Sequence, residues 1–165
     1  MTGNTTAPDP RMVSLKEARK EYGDLVALDT TDLDVSKGEF ITLLGPSGSG
    51  KTTILNLISG MISPTSGSIL MEGVDVTRTP PEKRGLGMVF QNYALMPHMN
   101  VFQNIAFPLQ IRRVGKAEIE QRVRAALELI QLPHVAERKP KELSGGQQQR
   151  VSLARCIVYN PRLIL

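Results

Sequence analysis

The pattern of apolar and polar residues divides the chain into a first part rich in predicted strands and a second part rich in predicted helices. Residues 13–17 and 26–35 mix apolar and polar positions as half-buried strands do. Residues 40–44 (FITLL) are almost continuously apolar, which is typical of a strand buried on both faces of a parallel sheet. Further short strands are predicted at residues 68–71 and 87–90.

Helical periodicity dominates the rest of the chain. Helices are predicted over residues 51–62, 101–109, 118–130 and 145–159, and a strand begins at 162–165 after Asn160-Pro161. The third helix is amphipathic, and one of its faces carries Ile119, Val123, Ala126, Leu127 and Ile130. The pattern predicts an α/β core of residues 12–91 and 160–165 and a helical subdomain of residues 92–159.

A glycine-rich loop between the predicted strand at residues 40–44 and the first helix carries a specific local motif. It fits the phosphate-loop pattern G-x-x-x-x-G-K-[ST] with Gly45, Pro46, Ser47, Gly48, Ser49, Gly50, Lys51 and Thr52, followed by Thr53. Backbone N–H groups there cradle phosphates, a lysine reaches the β- and γ-phosphates, and a hydroxyl binds Mg²⁺. We therefore predict ATP and Mg²⁺ as ligands. The alternative is a glycine-rich turn beside an incidental lysine.

A second motif, Leu143-Ser144-Gly145-Gly146-Gln147, opens the last predicted helix. Ser144 and Gln147 are spaced as a capping box, which is a purely structural interpretation. Two glycines in a first turn are costly by helix propensity, but they allow the backbone to approach a ligand. A glycine-lined helix N-terminus also suits an anion. Both interpretations can hold together.

The two motifs in this order make the chain resemble the ATP-binding subunits of ABC transporters, from about residue 13 onward. The resemblance implies an α/β P-loop NTPase fold of the ABC type, with a parallel sheet, an N-terminal antiparallel β portion and a helical subdomain. It also implies a head-to-tail dimer with a second ATPase subunit. There, Ser144, Gly145, Gly146 and Gln147, the signature segment, would contact the γ-phosphate held by the opposite subunit.

Two single residues gain an interpretation from the same resemblance. Gln91 resembles the glutamine that ligates Mg²⁺ and orients the attacking water, so it joins Lys51 as a candidate catalytic residue. Its alternative is a polar residue at a strand end. Tyr22 resembles the aromatic residue that stacks on adenine, and its alternative is an ordinary strand-end aromatic.

The resemblance also names partners. Residues 91–109 would receive a coupling helix of transmembrane permease subunits, and an extracytoplasmic solute-binding protein would take part indirectly. The segments TPPEKR and GLGMVFQNYALMPHMNV are most similar to importer ATPases of spermidine and putrescine uptake, although sugar, iron and sulfate importers share the pattern. The implied location is the cytoplasmic face of the inner membrane, as a peripheral protein.

The composition of the chain excludes some classes of partner and indicates the state of single residues. The net charge is +4, but only 4% of residues are aromatic and the basic residues are scattered, so we expect no nucleic-acid partner. No apolar run is long enough to span a membrane. Cys156 is the single cysteine and is expected to be a buried, reduced thiol. Residues 1–11 are expected to be a disordered tail, and His98 and His134 to be surface residues.

One expectation concerns the end of the sequence at Leu165. In the family, a hydrophobic strand ends in an aspartate and a glutamate that hold the metal and activate water, and this sequence stops within such a strand. We expect the chain to be a truncated segment that by itself lacks hydrolysis. The alternatives are a nucleotide-binding module that is not an enzyme and a soluble ABC protein of DNA repair or translation. The short helical insertion and the lack of a coiled coil argue against the last.

Overall fold

The computed structural model describes residues 11–165 and divides them into two compact units, one ending at Gly85 and the other spanning Leu86–Leu165. The predicted tail falls on residues 1–10, which lie outside the described residues, and on Arg11, which begins the first strand. The predicted split into an α/β core and a helical subdomain at residues 92 and 160 stays a prediction.

The first unit is built on an antiparallel sheet of four strands in the order β2-β1-β3-β4. The strands are β1 (Arg11–Tyr22), β2 (Leu25–Ser36), β3 (Ser66–Met71) and β4 (Val74–Asp75). A two-residue turn joins β1 to β2, and Gly23 takes the positive φ of 58° that such a turn requires. The predicted antiparallel β portion is therefore confirmed, with longer strands than the pattern indicated.

Helix α1 (Lys51–Ser59) packs its buried side on this sheet. Leu57 meets Leu28 of β2 and Ile69 of β3 in a small core, with Ile54, Ile62 and Val76 packed around it. The helix ends before residue 62 because Gly60 adopts a left-handed conformation, with φ at 82°, and donates its N–H to Leu57 O at 3.2 Å. A turn of 3₁₀ helix lies further along the unit at Pro81–Lys83.

The predicted buried strand at residues 40–44 is wrong for the described chain. These residues form no strand, and the side chains of Phe40 and Leu44 are 92% and 88% exposed. An apolar run becomes a strand only where a neighbour accepts and donates ladder hydrogen bonds. Within residues 11–165, none of the strands of the sheet pairs with this segment.

The second unit is mainly helical, with α2 (Val101–Ile111), α3 (Lys116–Leu129) and α4 (Gly145–Ile157). Short 3₁₀ turns lie at Pro133–Val135 and Pro140–Glu142. One continuous core joins the three helices, and it includes Val101, Ile105, Leu109, Ile119, Val123, Ala126, Leu127, Val151 and Ala154. All three predicted helices are confirmed, including the apolar face of α3.

Parallel pairing within residues 11–165 is limited to one bridge, between Gly87 and Ile164. Gly87 donates its N–H to Leu163 O at 2.8 Å and accepts from Leu165 N at 2.9 Å. Val89 N also donates to Leu165 O at 2.8 Å, so the predicted strands at residues 87–90 and 162–165 meet in the expected direction through three backbone hydrogen bonds. Gly87 is buried where a Cβ would lie 2.5 Å from Cys156 Sγ, so only glycine fits without displacement.

Candidate functional site

The phosphate loop, residues 45–52, leads directly into α1 in the first unit. Gly48 and Gly50 have φ values of 83° and 85°, which residues with a Cβ adopt only at a cost. At Gly50 a Cβ would also lie 3.1 Å from Leu28 Cδ1, so glycine lets the loop approach β2. The motif is therefore built as a tight loop seated on the sheet.

The start of α1 presents free backbone donors. The first helical bond runs from Ile54 N to Gly50 O at 2.9 Å, so the N–H groups of Lys51, Thr52 and Thr53 precede it. Within the described chain the first turn carries no acidic side chain, and Gly50 at the N-cap has no side chain to accept these donors. The positive end of the helix dipole is thus left open to an anion.

Lys51 lies folded over the loop. Its ammonium donates to Gly45 O at 2.8 Å, Pro46 O at 2.6 Å and Ser49 Oγ at 3.1 Å. Phosphate oxygens carry negative charge and make stronger charge-assisted bonds than these neutral acceptors. The lysine can therefore exchange loop oxygens for phosphate oxygens with little movement. The Thr52 side chain is exposed one residue further on, where its hydroxyl is accessible to a metal ion.

The other end of α1 is held by Arg84, the last residue of the segment TPPEKR, for which the sequence predicted no such role. Its guanidinium donates to Leu57 O at 2.8 Å and to Ile58 O at 2.9 Å, and further to Thr79 O at 2.8 Å. The first two are carbonyl groups of the last helical turn, where the helix provides no i+4 donor, although Gly60 N also reaches Leu57 O. Desolvation lowers the pKa of Arg84 from its ordinary value. The arginine thereby anchors the helix that carries Lys51.

Tyr22 ends β1 in the same unit, and its side chain is 53% exposed. The Lys20 ammonium lies 4.8 Å from the ring centroid, a cation–π contact. The ring is thus fixed at a strand end while much of its surface stays accessible. This geometry suits stacking on a base, and the assignment to adenine remains a prediction.

The signature segment opens α4 in the second unit. Ser144 Oγ accepts from Gln147 N at 3.3 Å, and Gln147 Oε1 accepts from Ser144 N at 2.9 Å, so the predicted capping box is confirmed. Gly145 and Gly146 are exposed, and a Cβ at Gly146 would meet nothing within 4 Å. The glycines leave the start of the helix accessible, which agrees with the interpretation that the backbone here approaches an anionic ligand.

Gln91 lies in a tight turn before α2, and its side chain is exposed. Tyr93 N closes this turn on Phe90 O at 3.0 Å, with Gln91 and Asn92 at the central positions. Tyr93 and Ala94 then both adopt positive φ values, 60° and 46°. Two consecutive residues with side chains in the left-handed region are unusual, and such strain clusters at functional sites.

The segment after this turn is organised by Asn104, which is fully buried in α2. Its Oδ1 accepts from Met96 N at 2.8 Å, and its Nδ2 lies 3.1 Å from Met96 O and 3.2 Å from Met99 O. In the sequence, the only indication that Asn104 organises this loop is its position as a polar residue on the apolar face of the predicted helix. Pro97 and His98 are exposed on the loop that Asn104 holds, and His134 is exposed as expected.

The structure thus groups the phosphate-loop residues and Tyr22 in the first unit, and Gln91 and the signature segment in the second. Cys156 is buried, as predicted. The described residues contain no group of three or more His, Cys, Asp or Glu side chains placed to hold a metal ion. None of the helices in residues 11–165 has the length and apolar character needed to cross a membrane.

Comparisons with known proteins agree with this geometry. The spermidine/putrescine import ATP-binding protein PotA of Nitrosomonas eutropha is 51% identical over 154 residues, which cover 93% of this chain and 42% of that protein. The same protein of Haemophilus influenzae is 47% identical, with 93% and 41% covered. The chain therefore spans less than half the length of these curated relatives.

Solved structures similar to this chain are also ATP-binding cassettes. A dimeric ATP-binding cassette in a post-hydrolysis state, bound to ADP and Pi, superposes with a TM-score of 0.84 at 34% identity and covers 93% of this chain and 72% of that one. A dimeric bacterial ABC transporter cassette matches with the same values. These matches confirm the predicted fold class. The ABC transporter family model matches residues 28–165, and the chain belongs to the ABC transporter family.

Proposed function

We propose that the chain is the nucleotide-binding segment of an energy-coupling ATPase that drives import of a polyamine, spermidine or putrescine. The observation that carries the proposal is the phosphate loop, in which an ammonium, free helix N–H groups and a hydroxyl lie within one loop and the helix start that follows it. The substrate assignment is supported by relatives named for spermidine/putrescine import.

In the proposed mechanism, the triphosphate of ATP enters the phosphate loop and Lys51 turns from Gly45 O and Pro46 O to the β- and γ-phosphates. Thr52 in the first unit and Gln91 in the second each carry an oxygen donor of the kind that Mg²⁺ prefers, and a bound magnesium ion would neutralise phosphate charge. Gln91 also orients the attacking water, while Ser144, Gly145, Gly146 and Gln147 bind the γ-phosphate held by a second subunit. Tyr22 stacks on the adenine.

The test of nucleotide binding is a titration of the whole protein with ATP and Mg²⁺. Lys51→Ala removes a charge-assisted contact worth roughly 1.5–3 kcal/mol, so we expect affinity to fall about 10- to 150-fold. Lys83→Ala is the matched control, because Lys83 is an exposed lysine of the same unit outside the loop. Equal affinity in the Lys51→Ala variant and the control would refute the assignment of the loop.

Docking to permease subunits is proposed for residues 91–109, with the exposed loop at His98 as the contact. His98→Glu places a charge on that exposed loop and leaves the core unchanged. Leu95 packs against the helical core, so a charge at Leu95 would disturb packing as well as docking. We expect reduced co-purification with the membrane subunits and unchanged ATP affinity. His134→Glu is the control at an exposed histidine outside this segment.

Two further measurements separate the proposal from its alternative. Uptake of labelled spermidine and putrescine by cells that carry the wild-type or Lys51→Ala protein tests the substrate. Steady phosphate release by the 165-residue chain alone, abolished by Lys51→Ala, would contradict the expectation that this segment binds ATP without hydrolysing it. No release from the whole protein would favour the non-enzymatic nucleotide-binding module.

A further inference from the structure

The strained turn after Gln91 is held by two side chains of α4. Ser152 Oγ donates to Tyr93 O at 2.9 Å. The guanidinium of Arg155 donates to Ala94 O at 2.7 Å and to Tyr93 O at 3.1 Å. Both carbonyl groups belong to the residues with positive φ. Three hydrogen bonds therefore converge on the one place in this segment where the backbone is strained.

These two side chains are placed to act together. Ser152 and Arg155 are three residues apart, so they lie on the same face of α4. Ser152 is 1% exposed, and its hydroxyl has Tyr93 O as its acceptor. Arg155 is partly buried, and its aliphatic stem leaves the guanidinium aimed at the turn. A buried hydroxyl and a partly desolvated guanidinium both need these carbonyl groups, so the contact is specific.

The side chain of Tyr93 also lies near the beginning of the same helix. Its hydroxyl lies 3.8 Å from the position of a Cβ on Gly145, in the signature segment. Tyr93 thus has its hydroxyl near Gly145 and its carbonyl group bonded to Arg155. Gly145 and Arg155 are separated by a rigid stretch of helix, about 1.5 Å per residue. The turn cannot shift along α4 without breaking the bonds to Ser152 and Arg155.

We infer that Ser152 and Arg155 are positioning residues, which clamp the Tyr93–Ala94 turn and thereby keep Gln91 in a fixed relation to the signature segment. Gln91 is two residues before Tyr93, inside the turn that Tyr93 N closes on Phe90 O. The inference rests on the proposed function, because the clamp matters for turnover only if Gln91 and the signature segment serve ATP hydrolysis. Neither clamp residue touches the nucleotide in this scheme.

The experiment compares variants of the whole protein. Arg155→Met removes both guanidinium bonds, Arg155→Lys retains one ammonium donor, and Ser152→Ala removes the hydroxyl bond with little change of shape. Arg150→Met is the matched control, because Arg150 lies on the same helix and donates to Ile130 O at 3.0 Å, away from the turn. For each variant, kcat, the affinity for ATP and amide hydrogen exchange are measured.

We expect Arg155→Met to lower kcat by at least about 10-fold, since small misplacements of a catalytic group are costly, while ATP affinity stays within about two-fold. Exchange over residues 91–95 should accelerate by about 10-fold or more, and Arg155→Lys and Ser152→Ala should fall between Arg155→Met and the wild type. Arg150→Met should leave exchange over residues 91–95 at the wild-type rate.

Two results would overturn the inference: unaltered exchange over residues 91–95 in Arg155→Met, or an equal loss of kcat in Arg150→Met. If the proposed function is wrong, the wild-type protein releases no phosphate from ATP. The comparison of amide exchange over residues 91–95 does not depend on ATP hydrolysis, so it still decides whether Arg155 holds the turn.

Discussion

Replacing Arg84 should destabilise the first unit through α1. The guanidinium bonds Leu57 O at 2.8 Å and Ile58 O at 2.9 Å, and in the Arg84→Met variant both carbonyl groups lose these donors. A hydrogen bond to a charged group contributes about 1.5–3 kcal/mol, and a cation at a helix C-terminus about 0.3–1 kcal/mol. Desolvation of Arg84, seen in its lowered pKa, offsets part of this. We therefore expect Arg84→Met to reduce the free energy of unfolding by about 2–4 kcal/mol.

Gly60 provides a partner for a double-mutant cycle. Its φ is 82°, and a Cβ there would lie 2.5 Å from Arg84 Nε. Gly60→Ala alone costs about 1–2 kcal/mol for the left-handed conformation, and the displacement of the guanidinium adds to this. In the Arg84→Met background the guanidinium is absent, so only the conformational cost remains. The double variant should then lose about 1–2 kcal/mol less than the sum of the single variants.

The assay is urea unfolding of the whole protein followed by far-UV circular dichroism, with unchanged denaturant slopes as the condition for comparing variants. Lys83→Met is the control for removing a neighbouring exposed cation. Arg84→Lys should recover only part of the loss, because one ammonium cannot reproduce the geometry of the guanidinium. Additivity within about 0.5 kcal/mol in the cycle, or an Arg84→Met loss below about 1 kcal/mol, would refute this role of Arg84.

Variants at three other positions test buried or stacked groups. Asn104→Leu removes the side-chain partners of Met96 N and Met99 O and should cost about 2–3 kcal/mol in urea unfolding; a loss under about 1 kcal/mol would contradict the role of Asn104. Tyr22→Ala should weaken ATP binding by about 1–3 kcal/mol, whereas Tyr22→Phe should keep the wild-type affinity because the ring remains. An ATP affinity of Tyr22→Ala equal to that of the wild type would reject stacking. Burial raises the pKa of the Cys156 thiol, so the folded chain binds that proton more tightly, and the free energy of unfolding should fall as pH rises above about 8.5. Cys156→Ala should flatten this fall in pH-dependent unfolding, and an identical slope would show that another group causes it.

The sequence by itself determined the features that depend on neighbouring residues. The glycines of the phosphate loop prescribe positive φ values, and residues 45–52 therefore predict a loop that opens a helix. The spacing of Ser144 and Gln147 predicts a capping box because both bonds form within one helical turn. The apolar face of α3 is likewise a local periodicity. Each of these features depends only on a short run of consecutive residues.

The tertiary structure decided the contacts that join residues far apart in the chain. Residues 40–44 have the composition of a buried strand, yet strand formation depends on a neighbour that no local pattern provides. Arg84 reaches Leu57 across 27 positions, and Arg155 reaches Ala94 across 61. An arginine in a sequence is most simply interpreted as a solvated charge, and only the folded backbone brings these carbonyl groups within its reach. Every residue type carries a backbone carbonyl group, so the sequence does not identify which of them accepts these bonds. Only the path of the folded chain determines the acceptor.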